Sequence, residues 1–286
     1  MPDIDTNARA ARLAVQKKIA EYERLGLFDL DVEDDPPTKP LLPGQVDYTY
    51  QKRKTRAKAR IANRVARAFF ERKIRKGELV IKEVRGIEHF RAVQGGAILT
   101  CNHFNPFDNY AVLKAIERDL PKKTLYKIIR EGNYTSFKGL YGYFFRHCNT
   151  LPLGSNLHVM GELSRGVSTL LARGERILIY PEQGMWWNYK KPRPLKDGAF
   201  RFAAKNSVPV IPFFITMQDT AALDGAGFPV QAYTVHIMPA IYPDEGLPLR
   251  ARIAAMRERN YALWKEKYEE IYGIPLTYSA PDGGAV

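Results

Sequence analysis

From residue 79 onward, short β-branched runs alternate with longer segments of helical period. β-branched runs suit pleated strands, whereas apolar residues at three- and four-residue steps line one side of a helix. Their alternation predicts an α/β fold in which helices cover a sheet. ELVIKEVR, AILTC, LYKIIR, RILIY, VPVIPFFIT and AYTVHIM supply the strands, with Pro209 and Pro212 bracketing the fifth. Helices are expected at 106–117, 157–173, 198–206 and 249–271. In the second of these, Val159, Met160, Leu163, Val167, Leu170 and Leu171 share a face and read as core packing.

The preceding part differs in charge. The chain has 44 Lys and Arg against 31 Asp and Glu, and residues 52–76 alone hold twelve basic residues and one acid, Glu71. Within that stretch Ile61, Ala62, Val65, Ala66, Phe69, Phe70 and Ile74 fall on one helical stripe, while Arg60, Arg64, Arg67 and Arg75 fall mostly elsewhere. Such a helix either packs its stripe on the domain behind it or lies on an anionic membrane, where each basic residue near the surface contributes about 1 kcal/mol. A basic stripe also attracts nucleic acid, but no helix-turn-helix spacing, zinc knuckle or RNP-like pattern accompanies this one. A helix is expected near residues 7–25, and Asp29–Pro43, with four prolines and five acids, reads as an extended acidic linker. The chain thus divides into 1–50 (helix and acidic linker), 51–78 (basic amphipathic helix), 79–275 (main domain) and 276–286 (a loose tail). With 45% hydrophobic residues it is neither disordered nor fibrous. No apolar run approaches the ~18 residues of a membrane-spanning helix, and the start MPDIDTNARA lacks a secretion signal's apolar region. Cys101 and Cys148 lack metal-ligand spacing, and two cysteines indicate no disulfide framework, so a reducing, cytoplasmic setting is expected.

The GxSxG elbow, the GxxxxGK[ST] loop, GxGxxG after a strand and HExxH are all missing. In their place stand His103 and Asp108, four residues between them in CNHFNPFDNY, directly after the strand AILTC. The spacing puts both on the turn that opens a helix. There an aspartate can hold one imidazole nitrogen and leave the other to take a proton from a substrate hydroxyl, work for which histidine's ordinary pKa of ~6.5 is suited. The same aspartate also suits ordinary helix capping. A second block, RILIYPEQGMWW, runs a buried strand into Pro181, Glu182 and Gly184.

In order along the chain come His103 to Asp108, Tyr180-Pro181-Glu182, Leu195-Lys196-Asp197-Gly198-Ala199 and Val208-Pro209-Val210-Ile211-Pro212. Over roughly residues 79–240 this resembles the glycerolipid acyltransferases typified by 1-acylglycerol-3-phosphate acyltransferase, known by an H-x4-D block, an F-P-E-G-T-R block and a V-P-[IV]-[IV]-P strand. The resemblance implies a mixed, mostly parallel sheet with helices on both faces. It implies transfer of a fatty acyl group from an acyl thioester to a lysolipid hydroxyl without a covalent enzyme intermediate. His103 would deprotonate the hydroxyl and Asp108 orient the imidazole. Asn102 and backbone N–H groups near Asn105 would face the oxyanion, and Glu182, Gln183 and Gly184 would help build the acceptor site.

There are departures. Gln183-Gly184-Met185, followed by Trp186 and Trp187, stand where the family has Gly-Thr-Arg, whose arginine holds the acceptor's phosphate. NTLPLGS lacks the arginine that ends a further family block, and Arg146 lies several residues early. Lys190, Lys191 and Arg193 then hold the phosphate from another direction, or form a solvated loop while the acceptor has another head group. Trp186 and Trp187 read as core or interface anchors no less than as stacking surfaces. Three readings follow: an acyltransferase acting on a lysophospholipid such as 1-acylglycerol-3-phosphate, one acting on a glycolipid or other non-phosphate lipid hydroxyl, and a non-catalytic lipid- or nucleic-acid-binding protein. The first expects no tightly bound cofactor, acyl-CoA or acyl carrier protein as co-substrate, a lysolipid acceptor, and a peripheral location on the inner, anionic face of the membrane.

Overall fold

The computed structural model describes residues 5–120 and 123–279. Seven strands, β1 (Val80–Arg85), β2 (Ala97–Thr100), β3 (Tyr126–Ile129), β4 (Thr150–Pro152), β5 (Arg176–Ile179), β6 (Val210–Leu223) and β7 (Pro229–Ile237), form one sheet of order β1-β7-β6-β2-β5-β3-β4. From β6 to β4 neighbouring strands are parallel, while β7 runs antiparallel to β6 and β1 parallel to β7. The sheet is thus mixed and mostly parallel, as the resemblance implies. β2 and β5 are buried along their whole length, as strands covered on both faces must be. Pro212 lies inside β6 rather than at its end. It sits where pairing passes from β2, which ends at Thr100↔Pro212, to β7, which begins at Phe213↔Ile237, and there a missing N–H costs little.

Helices α7 (Leu157–Ala172), α8 (Gly198–Lys205) and α9 (Leu249–Tyr272) pack on one face around Leu163, Leu170, Phe200, Phe214 and Trp264. On the other face, α2 (Arg53–Arg75), α4 (Asp108–Ile116) and α6 (Gly139–His147) close over Leu99, Phe70, Ile116 and Phe144. The short helices α3 (Ile87–Arg91) and α5 (Glu131–Thr135), with α6 and β4, lie outside the expected elements. The apolar stripe of α2 divides. Ala59, Ala62, Ala66 and Phe70 are buried, whereas Ile61 and Val65 stay exposed beside the arginines.

Helix α1 (Thr6–Arg24) opens with Asp5, whose side chain caps the Ala8 N–H, and the segment after it is not a free linker. Val32 and Ile19 pack with Trp186 in a small core of their own, and the Trp186 indole N–H donates to the Leu30 carbonyl at 3.0 Å. Further on, Glu131 accepts from the Leu41 N–H at 2.6 Å and Ser136 donates to the Pro37 carbonyl at 2.7 Å. Residues 28–43 therefore form a strap across the carboxyl ends of β5 and β3. Of the expected loose tail, Leu276, Tyr278 and Ser279 are hydrogen-bonded to Glu269, Pro192 and Glu23, and residues 280–286 lie outside the described residues.

Candidate active site

Where parallel strands end, the backbone turns away and leaves a rim in which α/β proteins place their ligands. Three neighbouring strands contribute here: β2 leads to His103, β5 to Tyr180–Gly184 and β3 to Arg130. The turn after β2 cannot continue as strand because Pro106 stands before the first turn of α4, and Asp108 opens that helix.

Asp108 is fully buried and organises the turn. A buried carboxylate must find donors, and it finds four. The His103 imidazole lies with Nδ1 2.7 Å from Oδ2, the N–H groups of Phe104 and Asn105 reach the same oxygen at 3.1 and 3.3 Å, and the Tyr180 hydroxyl donates to Oδ1 at 2.6 Å. Facing an acceptor, Nδ1 carries the ring proton, and Nε2 is left as the basic nitrogen. The His103 side chain is 22% exposed, and among the described residues none is bonded to Nε2. Tyr180 stacks on the imidazole with ring centroids 4.0 Å apart and planes 19° from parallel. Burial, with Asp108 and Cys101 adding to it, pushes the Tyr180 phenol well above its ordinary value, so it remains an O–H donor.

The block after β5 holds the histidine loop from the other side. Glu182 is buried and accepts from the His103 N–H at 2.9 Å, the Arg193 N–H at 2.7 Å and the Arg193 guanidinium at 3.2 Å. The Trp186 and Asn188 N–H groups donate to the carbonyls of His103 and Phe104. Glu182 is thus a buried clamp on the loop. Of its neighbours, Gln183 is exposed with a left-handed backbone (φ 67°) and Gly184 is buried in the turn.

Asn102 is engaged by the sheet. Its side chain donates to the Ile215 carbonyl at 3.0 Å and accepts the Ile215 N–H at 2.8 Å, so it splices β2 to β6 instead of facing an oxyanion. Asn105 shapes the turn by accepting the Phe107 N–H at 3.0 Å. Lys190, Lys191 and Arg193 do not form one basic cluster. Lys190 faces Asp219 at 3.7 Å, and Lys191 bonds Glu23 of α1 at 2.6 Å. Arg193 is 1% exposed, stacked on Trp186 and bonded to Glu182, Gly184 and the Phe28 carbonyl. Trp186 and Trp187 are buried anchors, Trp187 meeting Phe228 edge-on and Arg12 of α1.

Two participants escaped the sequence reading. Tyr180 was legible as a tyrosine where the resembling family has phenylalanine. Arg130 was legible only as a cation directly after a strand.

A family model for acyltransferases matches residues 82–216, the span from β1 into β6. Among solved structures, the 1-acyl-sn-glycerophosphate acyltransferase PlsC from Thermotoga maritima is similar in fold, with a TM-score of 0.54 at 17% identity over 93% of this chain and 96% of that one. No curated protein matches the chain. The matched span carries both His103 and Glu182, so residues 82–216 are similar to the acyltransferase family and the chain shares the fold of that solved structure.

Proposed function

We propose that the protein moves a fatty acyl group from an acyl thioester, carried on coenzyme A or acyl carrier protein, to the free hydroxyl of a single-chain membrane lipid. Like the 1-acyl-sn-glycerophosphate in the name of the structural neighbour, the acceptor carries one acyl chain and a free hydroxyl. The observation that carries this reading is the His103 imidazole, held through Nδ1 by Asp108 and partly open at the head of β2. Nε2 takes the hydroxyl proton while the oxygen attacks the thioester carbonyl. Collapse of the tetrahedral intermediate breaks the carbon–sulfur bond, and the imidazolium returns its proton to the departing thiolate. General-base assistance contributes about 10²–10⁴ in rate, so alignment of the two substrates must contribute the larger part.

The exposed face of α2 suits a membrane partner. Ile61 and Val65 stand out of it, Leu140 and Tyr141 of α6 are exposed nearby, and Phe70 on its inner side stacks on Tyr110 of α4, two residues from Asp108. Among the described residues no helix is long and apolar enough to cross a membrane, so contact through this basic face is the arrangement we propose. The test is thiol release from acyl-coenzyme A and from acyl carrier protein, on vesicles bearing single-chain lipids in anionic or neutral carrier lipid. Release with at least one donor, coupled to formation of a two-chain lipid and faster on anionic vesicles, is expected. No diacylated product with either donor would refute the assignment.

A further inference from the structure

Resting on the acyl-transfer reading, the acceptor's head group can be read from what occupies the rim beside His103. The strap places three carboxylates there. Asp31 grips Arg130 with both oxygens, Oδ2 on Nη1 at 2.6 Å and Oδ1 on Nη2 at 2.5 Å, and Asp35 lies 3.5 Å from Nη1 of the same guanidinium. Asp29 bonds Lys196 at 2.5 Å. A guanidinium held in this forked way is engaged as it would be by a phosphate.

The block after β5 has given way in the same place. Met185 stands where the resembling family has its phosphate-holding arginine, and Gly184 where it has threonine. A Cβ on Gly184 would come within 2.9 Å of Asp31 Oδ1, so a threonine there would push the carboxylate aside. Farther along, a Cβ on Gly132 would meet Thr38 Oγ1 at 2.7 Å, so the strap hugs the rim at two glycines. The remaining cations of the block are also paired, Lys191 with Glu23 and Arg193 with Glu182. Burial, opposed by Arg130 and reinforced by Asp31, pushes the Asp35 carboxyl above its ordinary value, as expected where negative charge already crowds one cation. The strap is not a loose lid: its Val32 is buried against Trp186.

We infer that the strap Phe28–Asp35 fills the anion position at the mouth of the site, and that the acceptor lipid presents an uncharged head group there, as a monoacylglycerol or a glycolipid does. A phosphate monoester would have to displace Asp31 and face Asp35.

The test has two arms on the full-length protein. In the first, inorganic phosphate is titrated by calorimetry into wild type, the Asp31→Ala/Asp35→Ala double variant, and that variant with Arg130→Ala added. The expected result is no saturable binding to wild type, binding to the double variant, and its loss with Arg130. In the second, monooleoylglycerol and lysophosphatidate compete for one acyl donor. Wild type should favour the neutral acceptor, and the double variant should shift the ratio of kcat/KM values toward lysophosphatidate by about tenfold or more, or 1.4 kcal/mol. Saturable phosphate binding by wild type that requires Arg130, or a wild-type preference for lysophosphatidate, overturns the inference. Should the variants not fold, the two wild-type measurements decide it. If neither lipid is acylated, the acyl-transfer reading fails while the phosphate titration still decides the strap.

Discussion

The imidazole of His103 owes its geometry to Asp108, and Asp108 owes part of its own to one hydroxyl. Without the Tyr180 O–H, the buried Oδ1 would keep no donor among the described residues, a loss of about 1–3 kcal/mol. Phenylalanine keeps the ring stacked on the imidazole, so Tyr180→Phe isolates the hydroxyl. That variant should melt at lower temperature and lose kcat severalfold with KM little changed, because Tyr180 acts in the proposed reaction through Asp108 and His103. Unchanged kcat in steady-state assays would remove Tyr180 from the positioning network. Glu182 belongs at the same scale, since its three N–H donors tie the His103 loop to the buried Arg193. Tyr180 and Glu182 lie 72 and 79 residues from the groups they hold in the His103 loop, so their duties were not readable before the fold, whereas the pairing of His103 with Asp108 was legible from its spacing.

At the level of elements, α1 and the strap are held mainly by apolar burial. A fully buried large side chain contributes about 1.5–3 kcal/mol, against about 0–1 kcal/mol for an exposed ion pair, so Ile19, Val32 and Trp186 outweigh pairs such as Lys18–Asp34. Glu23 is the buried exception. Burial alone would raise its carboxyl, but Lys191, the Ser279 N–H and Tyr189 hold it below the ordinary value of 4.5. A depressed folded-state value means stability that is present above about pH 4.5 and lost as pH falls through the folded value. Wild type should therefore melt above Glu23→Gln at neutral pH, and the gap should close in acid; a gap unchanged down to pH 3 in thermal scans would contradict the pairing. The strands and long helices of the main domain were legible because period-2 and period-3.6 patterns are local properties of sequence. β4, with three residues, and α6, with its glycines at 139 and 142, are too short or too irregular to show a period and are fixed by their neighbours. The acidic linker misled for a related reason. Its prolines and acids signal an extended chain, which it is, but what anchors it, Arg130 and Trp186, lies 99 and 156 residues away.

For the molecule as a whole, the sheet order puts the ends of β2, β5 and β3 side by side, so that one rim carries His103, Glu182 and the Arg130–Asp31 pair. The basic helix α2 stands against that rim through Phe70, which stacks on Tyr110 and meets Phe107 edge-on, and in the proposed membrane-bound arrangement an acceptor would reach His103 from this side. Everything then turns on one ring nitrogen. His103→Ala leaves the Phe104 and Asn105 N–H groups and the Tyr180 hydroxyl on Asp108, so the fold should survive the change. The decisive measurement is the rate of thiol release from acyl thioester in the presence of lipid acceptor, wild type against a folded His103→Ala. The account predicts a fall of about 10²–10⁴; a folded variant that keeps more than about a tenth of the wild-type rate would contradict it.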